Sequence, residues 1–210
     1  MAQNQTPSET ARNAVKSAVI HPGWLRITHW LNAIAVIIMV MSGWRIYDAS
    51  PIFSFSIPGR LTLGGWLGGA LMWHFAAMWL LVVNGLFYLA LNVGTWRIAD
   101  KFFPIRPAEV LHDISSALRG KLTHDIPGHY NSVQKLAYLS VVIAIVVVVM
   151  SGLVLWKSVQ FPLLRELMGG YEAARIVHFA AMTYLVLFFI VHIVMVALVP
   201  STLRMMIRGR

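Results

Sequence analysis

The sequence contains no cysteine and little charge. The first absence excludes a thiolate-bound iron–sulfur cluster, a disulfide and the Cys-x-x-Cys-His attachment of a c-type haem. Only 12% of the 210 residues are charged, against about 25% in an ordinary soluble domain, so water is not the main solvent of this chain. Residues 1–20 are polar and lack an apolar core, so we expect a mobile tail there rather than a cleavable signal peptide.

Four long stretches carry no charged side chain: 27–44, 61–96, 136–156 and 176–203. A helix of about 20 apolar residues crosses the hydrocarbon layer, where only helices and closed barrels satisfy their backbone polar groups. The second stretch is too short for two such spans and a turn. We therefore predict an all-α integral membrane protein, a four-helix bundle within 21–203 whose helices cover about 24–45, 66–92, 132–156 and 172–199.

The positive charges are distributed unevenly among the predicted loops. Of the 17 Lys and Arg residues, five lie in the loops after the first and third predicted helices: Arg45, Arg60, Lys157, Arg165 and Arg175. The other twelve (17 − 5) lie in the termini, including a basic tail at 204–210, and in the central loop. The positive-inside rule then predicts that both termini are cytoplasmic. The net charge of +9 thus reflects topology rather than nucleic-acid binding, since no soluble basic face with interleaved aromatic residues accompanies it.

The central loop contains apolar residues at helical spacing after Pro107, namely Val110, Leu111, Ile114, Leu118 and Leu122. This pattern predicts an amphipathic helix at about 107–122 on the cytoplasmic membrane surface, with an ordinary loop as the alternative.

Four of the eight histidines fall within predicted membrane helices: His29, His74, His178 and His192. Ionisable side chains are costly in the membrane and usually functional there, although a single histidine could simply hydrogen-bond a neighbouring helix. With cytoplasmic termini, His29 and His192 lie at an inner level, and His74 and His178 at an outer level. The fourteen residues between His178 and His192 correspond to about 21 Å and nearly four turns, so both point to roughly one face.

Each level therefore offers two imidazoles that face each other across the bundle core. Such pairs suit bis-histidine ligation of haem iron, which leaves no open position for substrate and favours electron transfer. Zinc or copper is the competing interpretation, but zinc prefers four compact ligands and no Asp or Glu lies in the uncharged stretches of these helices. We expect two non-covalent haems b, one bound by His29 and His192 and the other by His74 and His178.

Two short segments recur in the apolar sequence. The five residues from His74 to Met78 match those from His178 to Met182, and 40–43 (Val-Met-Ser-Gly) match 149–152. The recurrence predicts an approximate two-fold axis along the membrane normal. Gly43 and Gly152 within it either leave space for a flat macrocycle or provide ordinary helix packing.

Around the four helical histidines and at the start of the third predicted helix, the sequence resembles the bacterial cytochrome b561 and nickel-hydrogenase cytochrome b family. The resemblance rests on 26–30 (Arg-Ile-Thr-His-Trp), His74, 130–135 (Tyr-Asn-Ser-Val-Gln-Lys) and the His178–His192 spacing. It implies a bacterial inner-membrane protein with a quinone site beside the inner haem, at Asn131 and also Gln134 and Lys135. Val133 replaces a glycine of some relatives, and Lys135 could instead anchor a helix end. From depth alone, Arg26 and Arg175 are candidates for haem propionate contacts.

The resulting expectation is an electron-transfer subunit between a periplasmic oxidoreductase or dehydrogenase and the membrane quinone pool, with no catalytic residues of its own. The alternative is a self-sufficient superoxide:quinone oxidoreductase, with Arg60, Arg165 and Arg175 steering superoxide. A third class, a haem-free transporter or structural membrane protein, predicts a colourless preparation.

Overall fold

The protein is built from long apolar helices. The computed structural model describes residues 22–94, 109–110, 112–113, 115 and 132–209. Four helices are long and apolar enough to cross a membrane: α1 (Gly23–Ala49), α2 (Leu67–Gly94), α3 (Ser132–Trp156) and α5 (Tyr171–Leu198). Two short helices follow spans, α4 (Pro162–Leu167) and α6 (Pro200–Arg208). The described residues contain no strand, and the predicted all-α four-helix membrane architecture is confirmed.

Proline and glycine set the helix limits. Pro22 precedes α1 and Pro200 opens α6 directly after α5, as expected of residues without a backbone N–H to donate. The turn before α2 needs glycine at residue 64, where φ is 105° and an added Cβ would lie 2.4 Å from the Ala70 nitrogen. Helix α1 continues to Ala49, one turn beyond the predicted end near Arg45.

The four spans pack as two antiparallel hairpins, α1 with α2 and α3 with α5. Small buried side chains let the helices of each hairpin approach closely, among them Ala35, Ala70 and Ala77 in the first and Ala144 and Ala174 in the second. Large apolar side chains instead cover the outside of the bundle, as a lipid-facing surface requires. Within the described residues, extensive backbone contact occurs inside each hairpin rather than between them.

The bundle has two ends, which we name after the segments of the chain that lie at each. The loop end carries the connections α1–α2 and α3–α5. The terminal end carries the start of α1 and helix α6. There, Glu109 and Asp113 accept hydrogen bonds at 2.9 Å from the hydroxyl and the backbone N–H of Ser132 respectively, which caps α3.

Several sequence predictions concern this terminal end. The described residues of the predicted 107–122 segment are helical. The boundary predicted between the bundle and a basic tail at 204 falls inside α6, which runs from Pro200 to Arg208. The tail predicted at 1–20 lies outside the described residues.

Candidate functional site

Four imidazoles form two pairs between the hairpins. His29 of α1 and His192 of α5 have ring centres 6.1 Å apart near the terminal end. His74 of α2 and His178 of α5 have ring centres 6.4 Å apart near the loop end. Each of the latter two lies seven residues after the first residue of its helix, Leu67 or Tyr171, so the helix starts place them at matching depth. The structure thus brings together the same histidines that depth and spacing had paired.

The separations suit one metal ion between each pair. Two imidazoles bound at about 2 Å to opposite sides of one metal have ring centres roughly 6 Å apart. Both observed distances, 6.1 and 6.4 Å, agree with that arrangement. A compact zinc-type site is not supported, because no group of three or more His, Cys, Asp or Glu side chains occurs among the described residues.

The loop-end pair is held by equivalent contacts in the two hairpins. Nδ1 of His74 lies 3.1 Å from Oγ of Ser42, and Nδ1 of His178 lies 3.0 Å from Oγ of Ser151. The Val148 carbonyl also lies 3.1 Å from Nδ1 of His178. In both hairpins the first helix therefore orients the histidine of the second.

Glycine makes this close approach possible. An added Cβ at Gly43 would lie 3.5 Å from Cε1 of His74, and one at Gly152 would lie 3.3 Å from Cε1 of His178. Any longer side chain would occupy the space of the imidazole itself. The glycines therefore admit the histidine rings, a more specific role than helix packing.

An apolar cavity surrounds the loop-end pair. Besides the two histidines, it is lined by Val36, Met39, Val40, Leu81, Val148, Met182 and Leu185. These side chains come from all four spans, so the space lies at the centre of the bundle. Its aliphatic walls suit a flat, largely apolar ligand.

The terminal-end pair has different supports. His192 stacks on Phe188, one turn earlier in α5, with ring centres 6.1 Å apart and planes 13° apart. On the other side, the Asn84 amide donates to the Thr28 carbonyl at 2.8 Å and to Oδ1 of Asn32 at 2.7 Å. Because Thr28 directly precedes His29, this buried amide ties α2 to the segment of α1 that carries the histidine.

Two arginines were candidates for propionate contacts. Nη1 of Arg26 donates to the Ile207 carbonyl at 2.6 Å, while its Nε is buried without a partner among the described residues. Arg175 donates to Glu172 at 2.8 Å and to the carbonyl and hydroxyl of Ser50. Arg26 thus retains a buried donor for an acidic group, whereas the guanidinium of Arg175 links the ends of two helices.

The predicted quinone residues lie at the terminal end. Gln134 and Lys135 are half-buried in the first turn of α3, and Asn131 lies outside the described residues. This is the end that also holds His29 and His192. The capping contacts of Ser132 with Glu109 and Asp113 fix the backbone from which Gln134 and Lys135 extend.

Sequence reasoning missed the serine partners and the Asn84 bridge. The serines were visible in the repeated Val-Met-Ser-Gly segment, where only the glycines were considered. The bridge had one signal, an amide side chain at residue 84 within an apolar stretch. Its partners could not be found in the sequence, because they lie 56 and 52 positions away.

A four-helix membrane bundle with two facing imidazole pairs and no cysteine is the architecture of a membrane cytochrome b. The model of the prokaryotic cytochrome b561 family matches residues 20–209, and the chain belongs to that family. It is a multi-pass inner-membrane protein, and haem b binding and electron transport follow from the family.

One relative adds a more particular comparison. The putative protein-methionine-sulfoxide reductase subunit YedZ1 of Azospira oryzae is 64% identical over 190 residues, which cover 90% of this chain and 96% of that protein. The two chains therefore correspond over almost their whole lengths.

Proposed function

We propose that this protein is the di-haem membrane subunit of a protein-methionine-sulfoxide reductase system and passes electrons from the quinone pool to a periplasmic partner. The main observation behind this proposal is the presence of two imidazole pairs near opposite ends of the bundle, with ring centres 6.1 and 6.4 Å apart. His29 and His192 would hold one haem b, and His74 and His178 the other. Bound there, the haems supply reversible one-electron transfer along the membrane normal.

The residues present fit this cofactor. The loop-end pair opens into an aliphatic cavity, and the buried Nε of Arg26 provides a cationic donor one turn before His29. In this apolar core the propionates would be the main charges to be compensated. Arg26 is accordingly our first candidate for a propionate contact at the terminal end.

The terminal end would face the cytoplasm, because the basic residues are concentrated there. We place the quinone beside His29 and His192, with Gln134, Lys135 and Asn131 as its contacts. Oxidation of a quinol releases two electrons and two protons. Reduction of a methionine sulfoxide consumes two electrons and two protons and releases water, so one quinol balances one sulfoxide.

The partner is inferred from the relative's name, which describes a subunit. The alternative, a stand-alone superoxide:quinone oxidoreductase, would need free cationic side chains near the outer pair. Arg175 supports that alternative poorly, because its guanidinium is bound to Glu172 and Ser50.

A reduced-minus-oxidised spectrum with haem counted per chain tests the site, and we expect two haems b. The function is tested in cells that lack this chain, by measuring methionine sulfoxide in periplasmic proteins after oxidative stress. We expect the sulfoxide to persist, and the wild-type chain, but not His74→Ala, to restore its reduction. Quinone reduction by the purified protein with superoxide alone, together with normal sulfoxide repair in the deletion strain, would instead establish the alternative.

A further inference from the structure

We propose that Ser42 and Ser151 are positioning residues that fix the tautomer of His74 and His178 and tune the potential of the outer haem. The inference rests on the proposed haem ligation by this pair. It concerns two buried hydroxyl groups to which the fold alone assigns no necessary role, since a helix interior does not require serine.

The direction of each hydrogen bond follows from counting protons. A carbonyl oxygen only accepts, so the contact between Nδ1 of His178 and the Val148 carbonyl, at 3.1 Å, requires a proton on Nδ1. The single proton of Ser151 is directed to the Val147 carbonyl at 2.6 Å. Oγ of Ser151 therefore accepts from Nδ1–H, at 3.0 Å.

The first hairpin repeats this arrangement. Ser42 donates its single proton to the Ile38 carbonyl at 2.6 Å, so its Oγ, which lies 3.1 Å from Nδ1 of His74, accepts from Nδ1–H. In both rings the proton is thus held on Nδ1, away from the opposite hairpin. Nε2 keeps its lone pair, which is the form that binds a metal.

The competing explanation is that each serine only satisfies its own backbone, as serines in membrane helices often do. Two observations favour a role toward the histidines. Both serines are fully buried, with 0% of their surface exposed, and both lie within hydrogen-bond distance of an imidazole. Ser140 provides the contrast, since it bonds the Ala137 carbonyl in the same helix but contacts Tyr184 rather than a histidine.

A hydrogen bond accepted from Nδ1–H makes an imidazole a stronger donor to its metal. A stronger donor stabilises the oxidised iron more than the reduced iron. Loss of the serine oxygen should therefore raise the midpoint potential of the outer haem, and in Ser151→Ala the Val148 carbonyl still accepts from Nδ1–H of His178.

The test is a potentiometric titration of the purified full-length protein, followed by haem absorbance, for wild type, Ser42→Ala, Ser151→Ala and the double variant. We expect the outer haem to titrate at higher potential in each single variant, with an inner haem that titrates as in wild type. The two shifts should add in the double variant, because each serine contacts a different histidine. Ser140→Ala is the matched control and should leave both potentials in place.

Threonine variants guard against a merely steric effect. Ser42→Thr and Ser151→Thr keep the hydroxyl and should stay near the wild-type potential, even if an alanine variant loses the outer haem. An unchanged outer potential in the alanine variants would overturn the proposal, and so would equal loss of the haem in the alanine and threonine variants. A wild-type protein with fewer than two haems would instead contradict the haem ligation on which this inference rests.

Discussion

Asn84 offers a direct test of how the terminal-end half of the bundle is held together. Its side chain is 6% exposed and donates two hydrogen bonds, to the Thr28 carbonyl at 2.8 Å and to Oδ1 of Asn32 at 2.7 Å. Leucine shares the γ-branched shape of asparagine and is larger, so Asn84→Leu removes both bonds without opening a cavity. The Thr28 carbonyl keeps its helical partner, and only Oδ1 of Asn32 loses a donor.

The expected cost follows from the two bonds. A hydrogen bond contributes about 1 kcal/mol net in proteins, and about 0.6 kcal/mol on average between membrane helices. Asn84→Leu should therefore lower the free energy of unfolding by about 1–2 kcal/mol. Asn84→Asp should cost more, because a buried carboxylate would face two oxygen acceptors without a donor.

Denaturant unfolding in detergent micelles, followed by helical circular dichroism and by haem absorbance, measures this difference. Val83→Leu is the control, because Val83 is the neighbouring residue of α2 and is 63% exposed, so its replacement should be near neutral. If Asn84→Leu is as stable as wild type while Val83→Leu is neutral, the amide bridge does not hold the hairpin together.

Three further predictions concern the histidine pairs. His74→Ala should remove the outer haem and leave the inner one, measured as one haem per chain. Loss of the quinone-proximal haem instead would refute the pairing. Gly152→Ala should perturb the outer haem spectrum more than Gly43→Ala, because the added Cβ would lie 3.3 Å rather than 3.5 Å from its histidine. Equal spectra would contradict this expectation. Alanine is favoured over glycine by about 1 kcal/mol in both helices, so helix propensity affects the two variants equally. Arg26→Gln should release α6 and speed haem loss to an acceptor protein, whereas unchanged haem loss would exclude a propionate contact.

The membrane architecture was predictable because it depends on local sequence. An uncharged run that is long enough to cross the bilayer becomes a helix wherever it occurs, since its backbone has no other way to satisfy its polar groups there. Helical geometry likewise converts the fourteen residues between His178 and His192 into a depth difference. The histidine levels therefore followed from spacing and from the order of the helices.

The polar contacts around the histidine pairs were decided only by tertiary structure. Arg26 binds the Ile207 carbonyl across 181 positions of sequence, and Ser42 meets His74 across 32. Such contacts depend on the rotation of each helix about its axis and on which helices form a hairpin. Residue spacing determines neither of these, because many rotations bury an apolar helix equally well. The sequence alone determined which histidines lie at matching depths, because helical rise fixes depth, and the packed bundle decided which atoms contact them, because helix rotation fixes contacts.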